Sequence, residues 1–428
     1  MSKLIVLSVD AMVGQDVALL KTLPNYKRYL SGGVEIRQMR SIYPTVTYPC
    51  HVTMSTGCFP DRHGIISNTI FSPGGTDLPW HWYADAVKVP DLFTAAKQSG
   101  LRTAAVFWPV TGNHPHIDYL IDEYWTQGPD DTLLSAFGRT GSSEAVLEIV
   151  RRHAPLMVER THPMCDSFII ACGCDILRQF QPDLLMLHPA NIDGYRHSYG
   201  LFNEQVEQGV YEADRWIGEL MDAAAEAGGA EETSLVLVSD HGQLDIKRVV
   251  NLNVIFADQG LLETDAHGRL KSWEAYLVSN GLSAQVYLNN AAKYDKVYRL
   301  LQHLCEEGLY GISRVYTREE IQEHEHVSGS FSFMLETDGY TSFGEALSRP
   351  VVSSFDLTDF RAGRASHGHH PDKGPQPVFL AKGPAFRSHV TLARGRIVDE
   401  APTFAKALGI DLPHTDGRAL TELLKTPD

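Results

Sequence analysis

Runs 4–9, 103–107, 183–187, 234–239 and 377–381 are short and largely apolar, as strands buried on both faces are, while 91–99 and 204–227 carry helical patterns between them. Such alternation predicts an α/β protein, a three-layer α/β/α sandwich whose central sheet is mostly parallel. A different pattern occupies part of the 125 residues between His241 and His367, where 284–288, 313–316 and 332–335 alternate like half-exposed strands. We read 270–360 as a small inserted α+β cap, and 1–269 with 361–428 as the core that carries it.

Charge narrows the class of partner. Over 428 residues, 37 Lys+Arg face 53 Asp+Glu, a net charge of −16, and no lysine or arginine block departs from that balance. Nucleic acids and anionic membranes need a basic face, so neither is expected as a partner, and an anionic substrate would need locally placed positive charge. The first apolar run reaches Asp10 too soon for a secretory signal, and no stretch approaches the roughly 18 apolar residues of a membrane helix. Six cysteines without a disulfide rhythm or a CxxC pair suit a reducing compartment, and we expect a cytoplasmic protein. Cys172-Gly173-Cys174 and Glu323-His324-Glu325-His326 could each chelate a metal. Lone thiol pairs are ordinarily buried, however, and alternating acid and histidine ordinarily forms a solvated face.

Three of the expected strands end in candidate ligands. Asp10 follows the first, Asp193 and His197 sit in the loop after 183–187, and Asp240-His241-Gly242 follows 234–239. In open α/β sheets ligands bind beyond the carboxyl ends of the strands, so these groups can converge. Asp193 and His197 are four apart, a spacing that turns both toward one point in a helix. Ser366-His367-Gly368-His369-His370 adds imidazole before the last strand, and one histidine from it completes an inventory of three Asp and three His. Oxygen and nitrogen donors without thiolate suit a pair of zinc or manganese ions better than calcium. Thr47 offers a hydroxyl ahead of an expected helix through Met54. A metal, and the first N–H groups of that helix, would fit it to attack an anionic centre, although a threonine there can also be an N-cap. Cys50 lacks the His and Asn partner pattern of a cysteine hydrolase.

Together these stretches resemble the alkaline phosphatase superfamily, and within it the nucleotide pyrophosphatase/phosphodiesterase branch. The resemblance runs in order through Tyr43-Pro44-Thr45-Val46-Thr47-Tyr48-Pro49-Cys50-His51, the stretch from Thr56 to Ile65, Ser67-Asn68, Phe107-Trp108-Pro109, Asp193 with His197, Ser239-Asp240-His241-Gly242, Ser366-His367-Gly368, and the stretch from Phe379 to Phe386. It implies an alkaline phosphatase-like fold and hydrolysis of phosphoric esters, of phosphodiester or nucleotide pyrophosphate type. One metal would be held by Asp193, His197 and His367, and a second by Asp10, Asp240, His241 and the Thr47 oxygen, with zinc as the first choice of ion and manganese as the second. Thr47 would attack phosphorus, and water would hydrolyse the resulting phospho-threonine; the substrate would be a small phosphorylated molecule such as a nucleotide.

Cys50 and Trp108 are expected at the substrate. In this branch an Asn usually stands at the position of Cys50 and donates to a phosphoryl oxygen, and a thiol is a much weaker donor. Trp80, Trp82, Tyr83 and Trp108 could stack on a flat leaving group, and Arg196 could contact a phosphoryl oxygen. A phosphomonoesterase or phosphonoacetate-type hydrolase could use the same metal set, and a phosphomutase is the alternative from another class. A sulfatase does not fit, because Thr47 cannot be converted to formylglycine.

Overall fold

The computed structural model describes residues 2–75 and 79–425. Eight strands form the main sheet, in the spatial order Val390–Leu392, Val34–Ile36, Phe379–Lys382, Thr233–Val238, Lys3–Ser8, Leu184–Leu187, Thr103–Val106 and Tyr119–Ile121. Phe379–Lys382 runs antiparallel to both neighbours, and the other pairings are parallel. The five strands expected from apolar runs are all in this sheet.

Alternation along the central strand shows the layering. Ile5 and Leu7 enter one core with Phe168, Trp216 and Leu220, whereas Leu4 and Val6 enter a second with Met54, Phe93 and Phe404. Helices Met164–Phe180 and Glu204–Glu226 cover the first face; Thr47–Thr56, Leu92–Gln98 and Glu400–Leu408 cover the other. With both faces covered, a central strand has no polar side, which is why its sequence reads as an apolar run. Two of these five helices start on side-chain caps: Asp91 accepts the Thr94 N–H, and Asn203 accepts those of Gln205 and Val206. Among the described residues no helix is long and apolar enough to cross a membrane.

A third core gathers Val250, Leu277, Val286, Leu301, Phe333 and Phe343. Around it lies a four-stranded antiparallel sheet, Ala275–Ser279, Ser283–Leu288, Phe333–Thr337 and Ile312–Thr317 in spatial order, with helices Tyr294–Glu307 and Arg318–Glu325. Ser283–Leu288 and Phe333–Thr337 are buried almost throughout, not half-exposed as their alternation suggested. The loop at 66–71 covers the polar-reading side: Phe71 stacks on Tyr287 at 3.8 Å, and Gln285 donates to the Ile66 carbonyl at 3.0 Å. Glu325 is likewise not on a solvated face, because it pairs with Arg40 and His370, each at 2.9 Å.

Candidate active site

Three adjacent strands, Thr233–Val238, Lys3–Ser8 and Leu184–Leu187, bring Asp240-His241, Asp10 and Asp193 to one end of the sheet. Asp193 and His197 lie one turn apart on helix Asn191–Tyr199, with Oδ2 and Nε2 3.1 Å apart. Helix Thr47–Thr56 opens at the same end. Val46 occupies its N-cap position without a side-chain bond, so Thr47 is the first helical residue and its hydroxyl is not spent on capping. Thr47 Oγ1 instead lies 3.2 Å from His241 Nε2. His51, one turn on, donates from Nδ1 to the Thr47 carbonyl (2.9 Å) while Ser8 Oγ donates to its Nε2 (2.9 Å), which fixes the turn that carries Thr47.

The donor set fits divalent ions. Asp240 Oδ2 and Asp10 Oδ1 lie 3.2 and 3.5 Å from His241 Nε2, beside Thr47 Oγ1. Ligands about 2.0–2.1 Å from a tetrahedral ion stand about 3.3 Å apart, so these separations are those of one coordination shell. Asp193, His197 and His367 form a second group, with one ligand atom from each within 4.8 Å of the others. Asp10 Oδ1, Asp240 Oδ2, His197 Nε2 and His367 Nδ1 are buried and have no hydrogen-bond partner, an arrangement that costs free energy unless something else satisfies them. His197 donates from Nδ1 to the Ala365 carbonyl at 2.7 Å, which leaves Nε2 with its lone pair toward Asp193.

Electrostatics point the same way. Burial, followed by the Asp193 charge, pushes Asp10 up to about 6, and burial with Asp10 raises Asp240 well above the usual carboxylate range. Burial lowers His241 well below the ordinary imidazole value and His367 to about 4. Neutral His241 and His367 beside crowded carboxylates are a donor set that a divalent cation would suit.

The third core places His367. Its carbonyl accepts the Leu282 N–H at 2.9 Å, and Gly368, at φ +94°, packs so closely that a Cβ there would lie 1.8 Å from the Asn280 carbonyl oxygen. Gly281, at φ +81°, makes the reciprocal approach. Of the neighbouring histidines, His369 is buried behind the site and His370 turns away to Glu325.

A cavity of about 460 Å³ opens over Asp10, Thr47, Asp193 and His367. Two expected substrate contacts are not on its wall. Cys50, in the same helix, is fully buried on its inner side, its Sγ 3.3 Å from Ser41 Oγ, and burial raises its thiol well above the ordinary value, so it presents no thiol to the cavity. Trp108 is also fully buried and meets His51 edge-on at 4.8 Å. Arg196 serves structure: it binds Asp16 with both oxygens at 2.8 and 2.9 Å and donates to the Ala11 carbonyl, bracing the turn after Asp10. Of the four aromatics singled out, Trp80 lines the cavity, joined by Trp125 and Phe360.

Asn68 places an amide on the wall where Cys50 places nothing. Its Oδ1 accepts the Tyr48 N–H at 2.8 Å, which fixes the amide beside Thr47 and leaves Nδ2 as the donor on the cavity wall. The Thr47 N–H also has no protein acceptor among the described residues, so two donors flank the hydroxyl. The Ser67-Asn68 pair in the quoted motifs was the available signal.

Comparison with known proteins shows the family and the fold. The model of the type I phosphodiesterase/nucleotide pyrophosphatase family matches residues 4–356. Venom phosphodiesterase 2 of Crotalus adamanteus is 25% identical over 231 residues, 52% of this chain and 24% of the relative. Human ectonucleotide pyrophosphatase/phosphodiesterase family member 1 is 24% identical over 247 residues, 55% of this chain and 23% of that protein. The chain thus aligns with about a quarter of these relatives' length. Murine ectonucleotide pyrophosphatase/phosphodiesterase 5 superposes with a TM-score of 0.69 over 99% of this chain and 100% of its own, at 20% identity. An inactive Thr-to-Ala variant of it, in complex with AMP, gives 0.70 at 19% identity with the same coverage.

Proposed function

The chain belongs to the type I phosphodiesterase/nucleotide pyrophosphatase family, and on that premise we propose that it hydrolyses phosphodiester or nucleotide pyrophosphate bonds, with Thr47 as nucleophile and two divalent ions as cofactors. One observation carries the reading: the Thr47 hydroxyl stands at a helix start, unspent on capping, 3.2 Å from an imidazole nitrogen that two buried carboxylates also face. Asp10, Asp240, His241 and the Thr47 oxygen would hold one ion, and Asp193, His197 and His367 the other. Zinc suits the donors best, and manganese is the second choice. When bound, the ions supply a lower pKa for the hydroxyl and positive charge for the phosphoryl and leaving oxygens.

The chain's own residues do the positioning. His51 and Ser8 hold the Thr47 turn, and Asn68 Nδ2 with the Thr47 N–H donates to a phosphoryl oxygen. Thr47 Oγ forms the bond to phosphorus as the bond to the leaving oxygen breaks and takes its electron pair. Water then cleaves the phospho-threonine and restores the hydroxyl. A nucleotide is the favoured substrate, supported by the AMP in the related structure and by the aromatic wall of Trp80, Trp125 and Phe360. A cytoplasmic setting belongs to the same proposal, supported by six unpaired cysteines.

The test is hydrolysis of bis-p-nitrophenyl phosphate, p-nitrophenyl phosphate and phosphonoacetate by protein reconstituted with zinc or manganese. Preference for the diester is expected. Preference for the monoester or the phosphonate overturns the diesterase reading in favour of a phosphomonoesterase or phosphonoacetate-type hydrolase, and full turnover by Thr47→Ala overturns the nucleophile.

A further inference from the structure

Away from the ligand cluster, the same cavity is lined by His162, Cys165 and Asp166, from the start of helix Met164–Phe180 and the turn before it. The reaction proposed above makes no use of them. Asp166 is fixed at both oxygens: Oδ1 accepts the Ala190 N–H at 2.8 Å and Oδ2 meets His162 Nδ1 at 2.7 Å. The imidazole is therefore held by an anchored carboxylate, and its side chain remains 28% exposed, open to the cavity. Its Cδ2–Nε2 edge passes close to Gly194, where a Cβ would come 2.5 Å from Cδ2 and 2.7 Å from Nε2. Gly194 directly follows Asp193, so that ring edge sits beside the Asp193, His197 and His367 group, the one that does not include Thr47; an in-line displacement puts the leaving oxygen opposite the Thr47 oxygen, on that side.

The surroundings make that edge distinctive. Among the described residues no lysine or arginine lines the cavity, and its acidic members are Asp10, Glu123, Asp166 and Asp193. His188 is the other imidazole outside the ligand set, but it is sandwiched between carboxylates, with Nε2 3.1 Å from Asp10 and Nδ1 3.6 Å from Glu123. Among the described residues His162 has one carboxylate partner, Asp166, at Nδ1.

We infer that His162, oriented by Asp166, forms an anion subsite that selects substrates whose leaving group carries negative charge, a phosphoanhydride over an uncharged ester. Burial opposes a charge on His162, yet Asp166 and then Cys165 hold its pKa well above the ordinary imidazole value, so both ring nitrogens are donors. The inference rests on the phosphodiesterase reading and refines it to the leaving group.

A matched pair of substrates tests it: a nucleoside 5′-triphosphate, which releases pyrophosphate, and the p-nitrophenyl ester of the same nucleoside 5′-monophosphate. His162→Ala should lower kcat/KM for the triphosphate about ten- to a hundredfold more than for the ester, since a charge-assisted hydrogen bond acts on one leaving group only. Asp166→Asn should move the ratio in the same direction, because the ring loses its orienting carboxylate. Equal losses on both substrates would make His162 structural and overturn the subsite. Metal content is measured alongside: a third ion per chain that Cys165→Ser removes would make the cluster a metal site and also overturn it. If the unmodified protein cleaves neither substrate, the phosphodiesterase reading fails instead.

Discussion

Replacing Asn68 separates two jobs that one side chain performs. Its Oδ1 caps the Tyr48 N–H at the start of the nucleophile helix, and its Nδ2 faces the cavity beside Thr47. Asn68→Asp keeps an acceptor for Tyr48, and a carboxylate at a helix N-terminus is favourable, so folding stability should hold. The variant has no donor, and losing one preorganised donor to a phosphoryl oxygen costs about 2.7–4 kcal/mol of transition-state stabilisation, about 10²–10³ in kcat. Added negative charge beside the phosphate can only deepen that loss. Asn68→Ala should show a fall of the same order together with about 1 kcal/mol of lost stability, because it removes the acceptor that Asn68 Oδ1 gives the Tyr48 N–H. The assay is steady-state hydrolysis of bis-p-nitrophenyl phosphate at saturating metal, paired with chemical denaturation. An Asn68→Asp protein within threefold of the parent kcat would refute the donor role.

Three further outcomes follow from the same geometry. Cys50→Asn should not raise diesterase activity; it would bury an amide where Ser41 Oγ is the neighbouring polar group, costing about 1–3 kcal/mol in denaturation, and a faster enzyme would contradict this. Gly368→Ala should push the His367 turn off the Asn280 carbonyl and weaken metal retention about ten- to a hundredfold in chelator competition, whereas unchanged retention would show that the contact does not place the ligand. His63, buried away from the ligand cluster between the Thr53 hydroxyl and the Ile65 N–H, has its pKa lowered by burial from 6.5 to about 3. The unfolded chain therefore binds a proton that the folded chain refuses, so its contribution is complete above about pH 6.5 and is lost toward pH 3, at up to about 1.4 kcal/mol per pH unit. His63→Gln should flatten the stability profile between about pH 6 and 4, and parallel profiles would contradict this assignment.

The central strands were legible because burial on both faces removes the polar alternation, and the convergence of the candidate ligands was legible because parallel strands deliver their carboxyl ends to one place. Thr47 stood out through the residues around it, although only the structure separates it from an N-cap, by placing Val46 there. Cys50 misled because it lies three residues after Thr47: the helical rise of about 4.5 Å carries it from the helix mouth into the layer beneath. Asn68 was quoted without a role because its place depends on a tertiary bond to Tyr48, which no local spacing encodes. Trp125 reaches the cavity from a loop and Phe360 from the short 3-10 turn Phe360–Ala362, so no periodicity links them to Trp80. Run 284–288 read as half-exposed because Gln285 is polar, and its cover comes from a loop about 220 residues earlier in the chain, whereas 313–316 is half-exposed as its alternation predicts.

The central claim is that Thr47 itself bonds to phosphorus, and the stereochemical course at phosphorus tests it most directly. A chiral phosphorothioate diester hydrolysed in 18O-labelled water should give product with net retention, since two in-line displacements each invert the centre. Net inversion would mean a single displacement by water and would contradict the account.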